Sequence, residues 1–272
     1  MSHRLLSAAF FLLAAIIGLA ALAYPFLVRI LGVPGANDAL LSANETPLLT
    51  GLLISLCLAV LLVELQGQTA GAKIVAALGI MVAATASLRF IEVGIPGPGG
   101  FSPIFAPIIL GGYVFGSRFG FLLGAMSLLV SAIITGGVGP WLPYQMFTAG
   151  WLGLVAGWLP HLRRPAAELA LLVGFGFLCG FVYGLIINLY SWPYLVGDPV
   201  ITWVPGAGLI DALRRYAAFY FATSLLWDSA AAIGNVVLLA ALGLPTIRAL
   251  TRFRGRMQFQ VLDRAPGQVQ HS

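Results

Sequence analysis

Charge is what this sequence has least of: Asp, Glu, Lys and Arg make up 8% of its 272 residues, against 60% hydrophobic. A soluble domain carries about a quarter of its residues charged, so an ordinary water-soluble fold is excluded. With a mean hydropathy of +0.99, the chain reads as an all-α integral membrane protein. Cysteine is almost as sparse. Cys57 and Cys179 both lie inside apolar runs, where a thiol behaves as a small hydrophobe, so no disulfide framework is expected. The histidines, His3, His161 and His271, fall at loops or termini, which removes Ser-His catalysis and a His-rich metal site. HExxH is missing, and so is the Walker A pattern GxxxxGK[ST], so any ATP dependence must come from partners. No catalytic residue, cofactor or metal is expected, and the chain is not read as an enzyme. Nor does the net charge of +5 point to nucleic acid, because the basic residues cluster at the ends of apolar runs.

Long apolar runs are what the chain does have. A bilayer crossing needs roughly 20 such residues. On that measure the sequence predicts about eight helices: 5–31, 48–66, 71–91, 103–116, 119–135, 143–160, 166–191 and 208–246. The first continues through Phe26, Leu27 and Val28, too long for a signal-peptide core, and is read as retained. The fourth is short, and the last is long enough for an exposed first turn followed by a crossing. Basic residues settle the fourth. With the N-terminus inside, Arg4, Lys73, Arg118, Arg163, Arg164, Arg248, Arg252, Arg254 and Arg256 are cytoplasmic, whereas Arg29, Arg89, Arg214 and Arg215 are outside. If 103–116 dipped in and returned, the basic tail would invert, so the short run is expected to cross. Both termini are then cytoplasmic in a multi-pass protein of the plasma membrane.

This topology places three unusual loops on the outer face: "VGIPGPGGFSP", "GGVGPWLPYQ" and "SWPYLVGDPVITWVPGAG". Each is rich in Gly and Pro, and the last two carry Trp and Tyr, whose amphipathic rings suit either an interfacial belt or a ligand wall. Their presence on one face favours a wall. In it Trp141 can stack on a flat ligand while Tyr144 and Gln145 supply hydrogen bonds, and Trp192, Tyr194 and Trp203 form a lid.

Asp228 is the residue hardest to leave unexplained, because apolar sequence flanks it on both sides. A carboxylate at that depth costs several kcal/mol unless it meets water, a partner or a ligand. Ser224, Asp228, Ala231 and Asn235 recur at spacings of four, three and four, so they share a helix face that must point into the bundle. Two readings stay open: cavity floor, or a structural pair with another helix through Asn188. Gly176, Gly180 and Gly184, at four-residue spacing and leading to Asn188, read as a helix-packing stripe. Arg89 and Glu92 read as a partly exposed i,i+3 ion pair. Ala72 and Ala76, continued by Gly79 and Ala83, form a second small-residue stripe, suited to internal packing or to a partner helix.

The stretches "GFSPIFAPIILGGYVFGSRFGFLLGAMSLLVSAIITGGVGPWLPYQMFTAGWLGLVAGWLP" and "ATSLLWDSAAAIGNVVLL", with the basic end "IRALTRFRGR", resemble the substrate-specific S component of energy-coupling factor (ECF) transporters over about 70–256. The resemblance implies a six-helix bundle, here preceded by two extra transmembrane helices. It divides the chain into a two-helix extension (1–67), a substrate-binding core (68–248) and a basic cytoplasmic tail (249–272). It also implies capture of a vitamin or similar nutrient from outside. Delivery inward would proceed with a transmembrane coupling subunit and two cytoplasmic ATPases, as in ABC importers of the bacterial plasma membrane. The ligand would sit among the loops 93–103, 136–145 and 191–208 and the later helices. The expected substrate-binding residues are therefore Trp141, Tyr144, Gln145, Asn188, Trp192, Tyr194, Trp203, Trp227, Asp228 and Asn235. Ala72 and Ala76 would face the coupling subunit. The alternative from a different class is a self-sufficient secondary carrier that uses Asp228 as its proton or ion site. A third reading is a structural membrane protein without a ligand. Few outer charges suit an aromatic, partly polar molecule such as a B vitamin or its precursor.

Overall fold

The computed structural model describes residues 3–31, 51, 55, 69–94, 101–139, 141–195 and 197–257. Its helices are α1 (His3–Ile30), α2 (Thr69–Gly94), α3 (Phe105–Phe115), α4 (Ser117–Thr135), α5 (Leu142–Ala156), α6 (Pro165–Ser191), α7 (Leu209–Thr223) and α8 (Leu225–Met257), with a 3₁₀ turn at Trp192–Tyr194. Of the expected span 48–66 all but residues 51 and 55 lie outside the described residues. Among the described residues, four helical stretches are long and apolar enough to cross a membrane: Lys73–Phe90, Ser117–Thr135, Pro165–Tyr194 and Leu225–Arg256.

Two shorter helices form the centre. Nine of the eleven residues of α3 are buried, as are eleven of the fifteen in α5. Eleven residues rise only about 16 Å, roughly half the hydrocarbon thickness. A helix enclosed by protein on all sides need not match the bilayer, and an irregular lead-in is tolerated where neighbours bury it. The segment runs from Phe101, whose ring lies over Gly234 of α8, to Val114, whose carbonyl accepts from Arg254. It therefore runs alongside a stretch of α8 that is on the order of 30 Å long.

Glycine sets how the core closes. Between α3 and α4 the chain reverses through Gly116 alone, at φ 101° and ψ 170°, a conformation in which a Cβ is poorly accommodated. The hairpin brings α4 against α5 with backbone touching backbone: a Cβ at Gly120 would lie 2.1 Å from the Gly153 carbonyl oxygen. Ile108, Ile109, Leu123, Leu142 and Met146 fill the space around that seam with no exposed surface.

The glycine stripe of α6 packs as its spacing predicts, and its partner is α8. A Cβ on Gly180 would meet the Ala232 backbone at 2.6 Å, one on Gly176 the Leu239 side chain, and one on Gly184 the Asp228 carboxylate. At 208–246 the structure corrects the sequence reading. This region is not one helix with an exposed first turn: α7 is a separate helix of 15 residues, and α8 begins after Ser224 and continues to Met257. Hydropathy alone merges them because α7 also carries apolar residues. Its Leu209, Ile210, Leu213 and Phe221 are exposed while Phe219 and Tyr220 are buried, as in a helix lying along a surface.

Candidate functional site

At the end of the bundle where α6, α7 and α8 meet, the side chains turn polar. Asp228 sits one turn inside α8, in the notch left by Gly184, and its Oδ2 accepts a hydrogen bond from the Tyr220 hydroxyl at 2.7 Å. One turn nearer the bundle end, the Asn188 amide donates to Ser224 Oγ at 2.7 Å. The hydroxyls of Ser224 and Thr223 are 3.1 Å apart. Tyr216, on the inward face of α7, donates to the Leu185 carbonyl. The Tyr216 and Tyr220 phenols are pushed above their ordinary value, first by burial, and then by the Asp228 charge at Tyr216 and by the hydrogen bond to Asp228 at Tyr220. Both therefore remain protonated donors at neutral pH.

A second polar group comes from α2. Arg89 Nη1 and Glu92 Oε1 are 3.4 Å apart, and Ser102 donates to the other Glu92 oxygen at 2.8 Å. Tyr183 of α6 joins the two groups. Its ring meets Phe105 edge-on at 4.8 Å, and it is within electrostatic reach of Arg89, Glu92 and Asp228.

Aromatic rings flank the cluster. Trp192 is buried on the 3₁₀ turn, with its indole N–H donated to the Ile201 carbonyl at 2.8 Å and its ring edge-on to Tyr216 at 4.8 Å. Tyr144 of α5 and Tyr190 of α6 lie with ring centroids 4.3 Å apart. Phe26 of α1 reaches over both Trp192, at 6.1 Å, and Trp203, at 5.5 Å.

Of the residues singled out in the sequence, Tyr144, Asn188, Trp192, Trp203 and Asp228 gather at this end. Tyr194 and Gln145 are half-buried near it on the chain. Trp141 is 45% exposed and donates to Gly137 within its own loop at 3.2 Å. Trp227 is 55% exposed, beside the still more exposed Leu226. Asn235 lies two turns further into the bundle, fully buried, and donates to the Gly176 carbonyl at 2.9 Å, which makes it part of the α6–α8 seam. Ala76 is exposed, and the Ala72 side chain lies outside the described residues.

Sequence reasoning missed Tyr183, Tyr190, Tyr216 and Tyr220. The available signal was the 3.6-residue period of α7, in which Ala212, Arg215, Tyr216, Phe219 and Tyr220 share the less exposed face. The site as a whole offers the carboxylates of Asp228 and Glu92, an amide and several hydroxyls, with the Trp192 ring against Tyr216 at its edge. Such a set orients a small molecule by a few hydrogen bonds while rings cover its apolar part.

These features define a helical membrane protein with a polar, aromatic-flanked cluster at one end of its bundle. The family model described as "ECF transporter, substrate-specific component" matches residues 72–243, and the chain belongs to that family. It is thus a substrate-binding S component, whose relatives take a small-molecule substrate and associate with an ECF module. No curated protein and no solved structure matches the chain.

Proposed function

We propose that this S component captures a vitamin or vitamin-like nutrient from outside, at the end of the bundle built by α6, α7 and α8. A coupling subunit and two ATPases would drive its delivery inward. The observation that carries the reading is the Asp228–Tyr220 and Asn188–Ser224 pair of contacts beside Trp192, Tyr144 and Tyr190. A ligand entering there would exchange these protein–protein bonds for its own, keeping the half-buried Asp228 carboxylate satisfied in both states. Tyr144, Asn188, Trp192, Trp203 and Asp228 are the core of the proposed site. Gln145 and Tyr194 would complete its rim. Trp141 and Trp227 would serve only as mobile outer covers, and Asn235 as support for the seam. On α2, Ala72 and Ala76 would face the coupling subunit.

The test is purification of the full chain from cells grown in rich medium, followed by mass spectrometry of small molecules that copurify. One aromatic, weakly charged nutrient, lost in Asp228→Ala, is the expected result. Uptake by the chain expressed alone that collapses with an uncoupler would instead establish an ion-coupled carrier with Asp228 at its centre.

A further inference from the structure

At the opposite end of α8, about 30 Å from Asp228, an open cavity of about 680 Å³ lies between α3, α6 and α8. Its walls divide by chemistry. Val114 and Ile247 are apolar, Thr251 and Tyr113 bring hydroxyls, His161 stacks on Tyr113 at 4.3 Å, and Arg248 and Arg252 bring two guanidinium groups. Both arginines are exposed, and among the described residues neither takes part in an ion pair. Arg252 donates its Nε to the Arg248 carbonyl at 3.2 Å, which fixes its stem and leaves the guanidinium fork free. The one acidic wall residue, Glu168, has an oxygen held by the Tyr113 hydroxyl at 2.6 Å. Nothing in the substrate cluster needs this cavity, and the family resemblance does not assign it.

Two exposed arginines one turn apart, with a threonine beside them, match a phosphate, because guanidinium groups bind phosphate oxygens through paired N–H donors. The apolar wall decides what carries that phosphate. Residues 236–247 of α8 are almost wholly apolar, and the arginines begin at Arg248, so the cavity sits where a hydrocarbon layer gives way to headgroups. We propose that this cavity is a binding site for a phosphate group, presented by the headgroup of an anionic phospholipid of the leaflet at the basic end of the bundle. Arg248 and Arg252 take the phosphate, Thr251 donates a hydroxyl, and Val114 and Ile247 meet the glycerol and upper acyl carbons. A lipid held there bridges α3, α6 and α8 at the end away from the substrate cluster.

The experiment uses the full chain in detergent, titrated with dioleoyl phosphatidylglycerol or dioleoyl phosphatidylcholine and read by native mass spectrometry. A parallel arm titrates inorganic phosphate into the chain in phosphatidylcholine nanodiscs and reads thermal shift. Preferential binding of phosphatidylglycerol is expected, weakened about fivefold by Arg248→Gln or Arg252→Gln and about 25-fold by the pair. Arg248→Lys/Arg252→Lys, which keeps the charge, should retain most of it, and Arg214→Gln near the other end should change nothing. Matching unfolding temperatures separate lost binding from lost folding. Stabilisation by inorganic phosphate without lipid preference, lost in the double Gln variant, would keep the phosphate site and reject the lipid as its source. Equal binding of both lipids together with no response to phosphate would overturn the proposal.

Discussion

Gly184 has no side chain because Asp228 occupies the space one would fill: a Cβ there would lie 1.7 Å from Oδ2. The four-residue glycine spacing was legible in the sequence as a packing stripe, and so was the inward face shared by Ser224, Asp228 and Asn235. Which groups meet across the seam was not legible, because the partner of Asp228 comes from α7, a helix the apolar pattern hides. Gly184→Ala is expected to cost about 1–3 kcal/mol in unfolding stability, as overpacking does. Gly174→Ala, on the same helix with nothing within 4 Å of the added carbon, should be neutral or stabilising by up to about 1 kcal/mol. Thermal unfolding of both variants in one detergent checks the pair, and equal losses would mean that the seam is looser than described. Asp228→Asn makes the complementary test. It keeps an acceptor for the Tyr220 hydroxyl while removing the charge, so the fold should survive. Ligand retention should fall about 10- to 100-fold if the carboxylate holds a ligand donor, the range for a lost charged hydrogen bond. Unchanged retention, measured on the copurifying molecule, would leave Asp228 as a packing group.

Among the elements, the tight α3–α4 reversal and the break between α7 and α8 carry most of the geometry. Composition pointed to α3 and the basic-residue count argued that it crosses. Its brevity is explained only by its enclosure between α4, α5 and α8, a tertiary fact that no single-chain pattern contains. Gly116→Ala isolates the turn. No atom lies within 4 Å of the added carbon, yet the backbone at φ 101° disfavours one, so a loss of about 1–3 kcal/mol is expected from conformation alone. Thermal unfolding reads it, and a neutral result would show that the turn adopts another backbone conformation. The break at Ser224 is less sharp. The Ser224 N–H still donates to Tyr220 and the Asp228 N–H to Ser224, each at 2.9 Å. The hydrogen-bond ladder thus continues through the corner. A hydropathy window sees apolar residues on both sides of that corner and reports one long helix. The end of α7 at Thr223 and the start of α8 at Leu225 make two.

For the molecule as a whole, the question is how the first helix relates to the family core, which begins at residue 72. A Cβ on Gly18 would meet Trp151 and Phe147 of α5 at 2.7 and 2.8 Å, and Ala21 and Leu22 are buried in a cluster with Tyr144. Phe26 then covers Trp192 and Trp203. The sequence marked this helix as an addition, but its contacts put it against the aromatic flank of the proposed site. Phe26→Ala should therefore speed release of the bound substrate while leaving the bundle folded, as a dissociation assay on the purified chain would record. Release at the parental rate would make α1 a bystander. Because α1 packs on α5, α6 and the 3₁₀ turn, its docking is directed away from the stripe on α2, where Ala76 and Ala83 are exposed and Gly79 has no atom within 4 Å. In lipid, association between helices depends on close approach rather than on hydrophobic drive, so a smooth exposed stripe suits a partner helix and a bulky one does not. Gly79→Phe is thus expected to leave thermal stability and substrate binding at parental levels. Recovery of the coupling subunit with the tagged chain from cells expressing both should fall sharply. Undiminished recovery would place the contact on another face. A fall in substrate binding as well would mean that α2 transmits strain through Arg89 and Glu92 to Tyr183, joining two surfaces that the structure otherwise keeps apart.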